Sequence, residues 1–349
     1  MTTATPAAPP PKDVNRLGFG KDIYEGSVST LCAGCGHDSI TAHLIKAFYE
    51  HSVNPYDVAK MSGIGCSSKT PAYFLSKSHG FNSVHGRMPS IATGAKAANQ
   101  SLVAVGVSGD GDTASIGMGQ FCHLIRRNLD MVYIIEDNGV YGLTKGQFSA
   151  TADKGSKQKT GALNVMEVID CCALAITLDC AFVARSFSGD AKQMVPLLKA
   201  AVSHKGLAML DVISPCVTFN NHEGSTKSYT YVKDHDKPIH AMDYVEPQPE
   251  TVVDYAEGTT QKVDFPDGSQ LLLRKLGKDY DPTNKAAALT ALDEARREGV
   301  LLTGLLYVNP AHQDFNTVQN TVDRPLWALG EAETRPAKAV LEQILSAYR

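Results

Sequence analysis

The sequence predicts an α/β protein built on a doubly wound, mostly parallel β-sheet, and two patterns support this prediction. First, it contains short and mostly apolar runs with β-branched residues, which are typical of strands covered on both faces. These runs are 58–62, 102–107, 131–135, 182–184 and 207–213. Second, segments with helical character alternate with them, at 37–50, 89–100, 115–126, 165–175 and 190–203. Such alternation indicates right-handed β-α-β units.

The composition is that of an ordinary globular protein. The 349 residues are 43% hydrophobic and 20% charged, which is enough for one large domain or two unequal ones. The 33 basic and 37 acidic side chains give a formal net charge of −4, so no excess positive charge is available for a nucleic acid or an anionic membrane surface. No run approaches the ~20 apolar residues that cross a bilayer. We therefore expect neither a nucleic-acid nor a membrane partner.

Changes in composition along the chain predict three parts. Residues 1–16 are rich in Pro and Ala and lack the basic start and apolar run of a secretory signal, so we expect a disordered tail on a cytoplasmic protein. Residues 17–235 hold the alternating strands and helices. Residues 236–349 form a C-terminal extension, in which we expect a hairpin turning at 266–268 and helices at 285–298 and 337–348. We expect this extension to cover the core or to contact another subunit.

The loops after the predicted strands carry the candidate functional residues, because open parallel sheets bind ligands beyond the carboxyl ends of their strands. Gly109-Asp-Gly-Asp112 joins a strand to a helix, and its glycines let backbone N–H groups approach a phosphate. The Asp110 carboxylate would repel that phosphate unless a divalent cation lay between them. Mg²⁺ accepts carboxylate, amide and backbone carbonyl oxygens, and Asn138 and the carbonyl of Val140 complete such a set after the next strand.

The cysteines form a second group of candidates. Eight in a chain of this length are few for a disulfide framework, so we expect them to be reduced and some of them to bind metal. Cys32 and Cys35 form a CxxC pair, which structural zinc, a redox disulfide and an iron–sulfur cluster all use. Cys66 and Cys216 fall on the predicted ligand edge of the sheet. The others lie in apolar or helical stretches and are expected to pack in the core: Cys122, Cys171, Cys172 and Cys180.

The two loops resemble the thiamine-diphosphate-binding motif, which is GDG followed after one βα unit by an asparagine pair. Here 26 residues separate Gly111 from Asn138, and the second half reads Asp137-Asn138, so the resemblance transfers only Asn138. It implies thiamine diphosphate with Mg²⁺ held by Asp110, Asn138 and Val140, and the diphosphate flanked by Gly142 and Leu143. The other cofactor contacts that the resemblance implies are Ile64, Gly65, Cys66, Ser67, His85, Gly109, Gly111 and Asp112.

Six motifs in order resemble the beta subunit of 2-oxoacid:ferredoxin oxidoreductases, over about residues 17–231. They are 31–37 (LCAGCGH), 63–67 (GIGCS), 85–87 (HGR), 109–112 (GDGD), 137–147 (DNGVYGLTKGQ) and 214–216 (SPC). The resemblance implies a sheet of the thiamine-diphosphate-binding type and a 4Fe-4S cluster held by Cys32, Cys35, Cys66 and Cys216. Such a cluster carries single electrons, which redox-inert Zn²⁺ cannot do.

The activity that this resemblance implies is oxidative decarboxylation of a 2-oxoacid to an acyl-CoA, or the reverse reductive carboxylation. Coenzyme A is then the co-substrate and ferredoxin the electron partner. Family members place the carboxylate that activates the cofactor on a pyrimidine-type domain of another subunit, so we expect activity only with an alpha subunit. Lys69 is a candidate to pair with the distal carboxylate of 2-oxoglutarate, which would yield succinyl-CoA.

Two other functions stay open. In a non-redox thiamine-dependent decarboxylase or carboligase, the cysteines would be incidental. A zinc-stabilised nucleotide-binding module without enzyme activity would hold zinc in place of iron and retain no thiamine diphosphate. Analysis of metal and thiamine content distinguishes the three.

Overall fold

The computed structural model describes residues 14–158, 160–221, 225–239, 260–264, 270–274 and 280–348. Residues 1–13 of the predicted tail and the predicted turn at 266–268 lie outside this part. The strands in it are β1 (Val58–Ser62), β2 (His79–Asn82), β3 (Val103–Gly109), β4 (Met131–Asp137), β5 (Val140–Tyr141), β6 (Gln147–Phe148), β7 (Phe182–Phe187), β8 (Leu207–Ile213), β9 (Asp236–Pro238), β10 (Thr260–Asp264), β11 (Gln270–Arg274) and β12 (Leu301–Val308).

Eight of these strands form one sheet in the order β2-β1-β3-β4-β8-β7-β12-β9. Every neighbouring pair in it is parallel except β7 and β12, which are antiparallel. Two small antiparallel pairs lie outside this sheet, β5 with β6 and β10 with β11. The predicted fold class is therefore confirmed, and the β10–β11 pair confirms the strands of the predicted hairpin.

Helices cover both faces of the sheet. They are α1 (Gly36–Glu50), α2 (Met88–Ala98), α3 (Met118–Arg127), α4 (Cys171–Thr177), α5 (Ala191–Ser203), α6 (Tyr229–His235), α7 (Lys285–Glu298), α8 (Phe315–Gln319), α9 (Glu331–Thr334) and α10 (Lys338–Ser346). One face packs against α2, α3, α4 and α7, and the other against α1 and α5. Alternate residues of β4 serve the two faces, with Tyr133 in one core and Ile134 in the other. This two-sided burial explains why the strands read as continuous apolar runs.

The direction in which the chain winds across the sheet reverses between β4 and β8. The step from β3 to β4 passes through α3, and the step from β7 to β8 passes through α5 on the opposite face. Ligands of doubly wound sheets bind where the winding reverses, beyond the carboxyl ends of the strands. The fold thus predicts a site among the loops that follow β1, β3, β4 and β8.

One predicted helix begins later than expected. The pattern at 165–175 predicts a helix over that whole segment, whereas α4 begins at Cys171. Asp170 caps α4 through its Oδ1 atom, which accepts a hydrogen bond from the Ala173 amide at 3.0 Å. Val165 and Met166 are exposed, so their apolar character does not reflect a buried helix face.

The extension contributes to the main sheet, which the sequence analysis did not predict. After α7, which matches the predicted 285–298, the apolar run 301–308 forms β12 and pairs with β7. The proposed boundary between 235 and 236 stays a prediction. Beyond Gln319, α9 and α10 bury no residue, and the single tryptophan of the chain, Trp327, is 85% exposed. Within the described residues, no helix is long and apolar enough to span a membrane.

Candidate active site

One pocket opens at the carboxyl edge of the sheet, where the loops after β1, β3 and β4 meet. Its wall contains all the cofactor contacts that the sequence predicts, namely Ile64, Gly65, Cys66, Ser67, His85, Gly109, Gly111, Asp112, Gly142 and Leu143. The predicted magnesium ligands Asp110, Asn138 and Val140 belong to the same wall. Residues from separate motifs therefore share one cavity.

Asp110 follows β3 directly and precedes a turn of π-helix at Gly111–Ile116. Its side chain is 1% exposed, and its Oδ2 atom accepts hydrogen bonds from the hydroxyls of Ser149 and Thr151, the latter at 2.6 Å. Burial raises the pKa of the Asp110 carboxyl, although both hydroxyls lower it. Because these hydrogen-bond partners are neutral, the buried carboxylate gains from a cation on its other side.

Asn138 and Val140 continue the wall from the end of β4. The Asn138 Oδ1 atom accepts a hydrogen bond from the Val140 amide at 3.0 Å, and its backbone carbonyl accepts one from Asn220 Nδ2 at 2.7 Å. Gly139, between them, has a φ of +73°, and a Cβ atom there would lie 2.7 Å from Asn220 Nδ2. Only glycine fits this position, for both reasons. The turn places Asn138 and Val140 in the same pocket wall as Asp110.

Asp137 stands where the thiamine motif has an asparagine. Its Oδ1 atom lies 2.7 Å from Thr151 Oγ1, the hydroxyl that also bonds Asp110. Burial raises the pKa of the Asp137 carboxyl well above its usual range. A protonated carboxyl offers one donor and one acceptor group, as an amide does. Asp137 can therefore take the bonding role of the missing asparagine.

Asp112 ties two parts of the pocket wall together. Its Oδ1 atom accepts a hydrogen bond from the Gly86 amide and its Oδ2 atom accepts one from Ser108 Oγ, both at 2.8 Å. These bonds hold the 85–87 segment against the loop after β3, and so bring His85 to the pocket. Asp112 thus shapes the pocket with both of its carboxylate oxygens already engaged.

The charge of the pocket wall favours a metal ion together with an anionic ligand. Among the described residues that form the wall, three are carboxylic acids, Asp110, Asp112 and Glu136, and none is Lys or Arg. A diphosphate would add negative charge with no fixed cation to balance it. A divalent cation next to Asp110 removes this repulsion, since hard cations bind carboxylate and phosphate oxygens together.

Two of the predicted cluster ligands, Cys66 and Cys216, have their sulfur atoms next to the Gly142 wall of the pocket. A Cβ atom at Gly142 would lie 3.2 Å from Cys66 Sγ and 4.0 Å from Cys216 Sγ, so both sulfur atoms lie next to this glycine. Cys35 precedes α1, and Cys32 Sγ accepts a hydrogen bond from Thr218 Oγ1 at 3.5 Å. The four predicted cluster ligands thus come from the loops before α1, after β1 and after β8.

Burial is the main influence on the thiols of Cys35 and Cys66. Burial raises the pKa of the Cys35 thiol to about 12, with smaller upward contributions from Glu136 and Cys216. Burial also raises the pKa of Cys66, and Cys216 and Cys32 add to it. Cys171, Cys172 and Cys180 are buried in the core, as predicted, whereas Cys122 is half-buried.

Comparison with known proteins identifies the family. Residues 63–212 match the thiamine pyrophosphate enzyme, C-terminal TPP binding domain. A 2-oxoacid:ferredoxin oxidoreductase subunit beta from Sulfolobus sp is 41% identical over 233 residues, which cover 66% of this chain and 74% of the relative. The chain belongs to the 2-oxoacid:ferredoxin oxidoreductase beta subunits. This oxidoreductase beta subunit acts as part of an enzyme complex, and the predicted family is confirmed.

Two further comparisons agree with this assignment of the beta subunit. The 2-oxoglutarate oxidoreductase subunit KorB of Mycobacterium tuberculosis is 35% identical over 204 residues, 58% of this chain and 54% of the relative. A solved structure of 2-oxoglutarate:ferredoxin oxidoreductase from Magnetococcus marinus with 2-oxoglutarate, coenzyme A and succinyl-CoA bound is 28% identical. Its TM-score is 0.72, and the match covers 95% of this chain and 96% of that one.

Four buried polar residues at the pocket of the beta subunit were given no role in the sequence analysis. They are His37, Thr70, Glu136 and Ser214. His37 Nδ1 lies 2.6 Å from Ser214 Oγ and 3.5 Å from Glu136 Oε2, and Thr70 Oγ1 donates a hydrogen bond to Glu136 Oε1 at 2.9 Å. Burial lowers the pKa of His37 to about 4 and raises that of Glu136 well above its usual range. The signal for Glu136 was present, because it is a charged residue that continues the apolar run 131–135.

Lys69 lies at the edge of this arrangement in the beta subunit. It does not line the pocket, and its Nζ atom lies 3.5 Å from Thr30 Oγ1. Its charge lowers the pKa of the Cys66 thiol, whose main perturbation is the increase caused by burial. The substrate role of Lys69 stays a prediction.

Proposed function

We propose that this chain binds Mg²⁺ with thiamine diphosphate and a 4Fe-4S cluster, and that with an alpha subunit it converts 2-oxoglutarate to succinyl-CoA or runs the reverse reaction. The observation that carries the proposal is the position of Gly142. It forms part of the cofactor pocket, and the sulfur atoms of Cys66 and Cys216 lie next to it. A one-electron carrier next to the thiamine site is what a ferredoxin-linked oxidation requires.

The proposed magnesium ligands are Asp110, Asn138 and the carbonyl of Val140. Their hard oxygen atoms suit Mg²⁺, and the wall that contains them is acidic and, in the described part of the chain, without Lys or Arg. Ser149 and Thr151 fix the orientation of the Asp110 carboxylate by holding its Oδ2 atom. The Asp110 carboxylate is therefore already oriented by its hydrogen bonds when the ion binds.

The proposed cluster ligands are Cys32, Cys35, Cys66 and Cys216. All four are free thiols, and two observations support the set: the sulfur atoms of Cys66 and Cys216 lie next to Gly142, and Thr218, two residues after Cys216, bonds Cys32. A 4Fe-4S cluster carries single electrons and Zn²⁺ does not, so the proposed oxidation favours a cluster over structural zinc at these cysteines.

When bound, thiamine diphosphate supplies the electron sink that decarboxylation of a 2-oxoacid needs. The residues of this chain bind and orient it. Asp110 and Asn138 would hold the metal that binds its diphosphate, and Ile64, Gly65 and Ser67 line the same pocket. Asn138 Nδ2 donates to His37 Nε2 at 3.5 Å, so the proton of the neutral imidazole is on Nδ1, toward Ser214. This arrangement fixes the orientation of the Asn138 amide.

Substrate and partners follow from the relatives and from the sequence. The names of the Mycobacterium tuberculosis and Magnetococcus marinus proteins support 2-oxoglutarate as substrate and coenzyme A as co-substrate. Lys69 is the proposed partner of the distal carboxylate. We assign the activating carboxylate to the alpha subunit, electron transfer to ferredoxin, and the exposed C-terminal segment to subunit contact in a cytoplasmic complex.

Anaerobic co-purification of this chain with its alpha subunit tests the proposal. We expect about four irons per chain, bound thiamine diphosphate and Mg²⁺, and viologen reduction that requires both 2-oxoglutarate and coenzyme A. Zinc without thiamine diphosphate would support the nucleotide-binding module. Bound thiamine diphosphate without iron would support a non-redox thiamine enzyme, and either result would overturn the proposal.

A further inference from the structure

The segment 138–142 lies between the two proposed cofactor sites of this chain. At its start, Asn138 and Val140 belong to the proposed magnesium site. At its end, Gly142 lies next to the sulfur atoms of Cys66 and Cys216. A residue that holds this segment in place therefore influences both sites, and Asn220 is such a residue.

Asn220 makes one hydrogen bond toward each site. Its side-chain Nδ2 atom donates to the backbone carbonyl of Asn138 at 2.7 Å. Its backbone amide donates to the carbonyl of Cys216 at 2.9 Å. Asn220 is 5% exposed, so loss of its side-chain bond would leave the Asn138 carbonyl buried without a partner. The contact is also tight, because a Cβ atom at Gly139 would lie 2.7 Å from Asn220 Nδ2.

We propose that Asn220 is a positioning residue that joins the turn of Cys216 to the turn of Asn138, so that occupation of the cluster site strengthens binding of Mg²⁺ and thiamine diphosphate. This inference rests on the proposed function, because it requires both sites to be used. Asn220 does not line the cofactor pocket, and its effect passes through the backbone of Asn138. Binding linkage is reciprocal, so the cofactor must stabilise the cluster site to the same extent.

The alternative is that Asn220 only stabilises the fold. It then lowers the stability of the whole complex when mutated, and leaves the two sites independent of one another. A measurement of coupling separates the two possibilities, because a purely structural residue does not change how one site responds to the other.

The experiment uses the anaerobically purified complex with the alpha subunit, with the cluster either intact or removed by chelation. Isothermal titration calorimetry measures the Kd of thiamine diphosphate in saturating Mg²⁺. For the unmodified chain we expect removal of the cluster to weaken binding about tenfold, and we expect Asn220→Ala to weaken it about tenfold with the cluster intact. In Asn220→Ala, removal of the cluster should then change the Kd less than about twofold.

Asn221→Ala is the matched control, since Asn221 is the neighbouring amide and its Oδ1 atom instead accepts a hydrogen bond from the Tyr229 amide. We expect this variant to keep the Kd and the cluster dependence of the unmodified chain. The second readout is the electron paramagnetic resonance spectrum of the reduced cluster, which should respond to thiamine diphosphate in the unmodified chain and not in Asn220→Ala.

Two results would overturn the inference. One is a Kd for the unmodified chain that is the same with and without the cluster, which decides the matter even if Asn220→Ala fails to fold. The other is an Asn220→Ala complex in which removal of the cluster still weakens binding of thiamine diphosphate about tenfold, whatever the Kd with the cluster intact. An unmodified complex that holds neither iron nor thiamine diphosphate would instead overturn the proposed function, and the inference with it.

Discussion

The magnesium side and the cysteine side of the proposed active site share one wall but are built in different ways. On the magnesium side, Asp110 and Asn138 follow directly after two adjacent strands, and both are buried and hydrogen-bonded. On the cysteine side, the ligands come from three separate loops. Cys32 is exposed, Cys66 and Cys216 are half-buried, and Cys35 is buried.

The two sides therefore depend on their ligands to different degrees. The register of β3 and β4 sets the relative position of Asp110 and Asn138, so the magnesium side is arranged by the sheet itself. The thiols on the other side have no such scaffold, and burial keeps Cys35 and Cys66 protonated. Binding of a cluster must release these protons, so assembly of the cysteine side depends on its ligand and on pH.

The largest effect is expected from Asp110→Asn, which removes the one charged ligand of the magnesium side and keeps its shape. We expect thiamine diphosphate binding in Mg²⁺ to weaken more than about 100-fold and turnover to vanish, with iron content unchanged. Calorimetry and iron analysis of the complex provide the measurements. Asp57→Asn, an exposed acid far from the pocket, is the control. Loss of iron in Asp110→Asn would show that the two sides do not form separately.

The complementary test on the cysteine side is the substitution Cys216→Ser. We expect iron content and viologen reduction to be lost, while thiamine diphosphate still binds with a Kd that is weaker by about tenfold. Cys122→Ser removes a half-buried thiol of α3 and should retain iron and activity. If Cys216→Ser keeps a full complement of iron and its activity, Cys216 is not a cluster ligand.

A substitution at Lys69 tests whether this residue acts on the substrate or on the cysteine side. If its ammonium group binds the distal carboxylate of 2-oxoglutarate, Lys69→Ala lowers kcat/KM for 2-oxoglutarate by about 10- to 100-fold and affects pyruvate little. Its proximity to Cys66 supports a different role, in which Lys69 influences the cluster. In that case kcat/KM falls equally for 2-oxoglutarate and pyruvate, and the substrate assignment fails. Lys77→Ala, an exposed lysine, is the control.

The smallest effect concerns His37, which contacts residues of both sides. Burial lowers its pKa to about 4, so between pH 6.5 and 4 the unfolded chain binds a proton that the folded chain does not. The stability that His37 contributes is therefore present above pH 6.5 and is lost as the pH falls toward 4, up to about 3 kcal/mol. The raised pKa of Glu136 makes stability fall as the pH rises, which is the opposite trend. The contribution of His37 must therefore be measured as a difference in stability between two proteins.

The comparison is between the unmodified complex and His37→Gln, both without cofactors. We expect the difference in Tm to shrink by about 5–10 °C as the pH falls from 7 to 4.5, at about 2–4 °C per kcal/mol. Thermal unfolding at several pH values measures it. A constant difference would show that the pKa of His37 is the same in the folded and the unfolded chain, so that burial does not lower it.

The residues of the proposed magnesium side could be located from the sequence because each of them is adjacent to a strand, and their role as ligands stays a prediction. Asp110 and Asn138 are recognisable by the glycines beside them and by one helix and one strand between them. The structure brings them into one wall as expected. The supporting hydroxyls of Ser149 and Thr151 were not predicted, because they lie in an irregular segment after β6 with no pattern that indicates a partner.

Long-range pairs were beyond reach of the sequence for a similar reason. His37 and Ser214 are 177 positions apart, and only the packing of α1 against the end of β8 brings them together. The predicted start of α4 is wrong because the apolar residues Val165, Met166 and Val168 are exposed and precede the helix, which Asp170 caps. The strand β12 had a clear apolar pattern at 301–308, but its antiparallel pairing with β7 depends on the sheet already present.

The exposed C-terminal segment, residues 320–348, contains a side chain that reports on its own surroundings. Trp327 is the single indole of the chain, and it lies in the short helical turn Leu326–Ala328. Indole fluorescence moves to shorter wavelength when the ring leaves water. The chain therefore carries a fluorescent reporter in the segment proposed to contact another subunit. Association that buries Trp327 shifts the emission maximum to shorter wavelength.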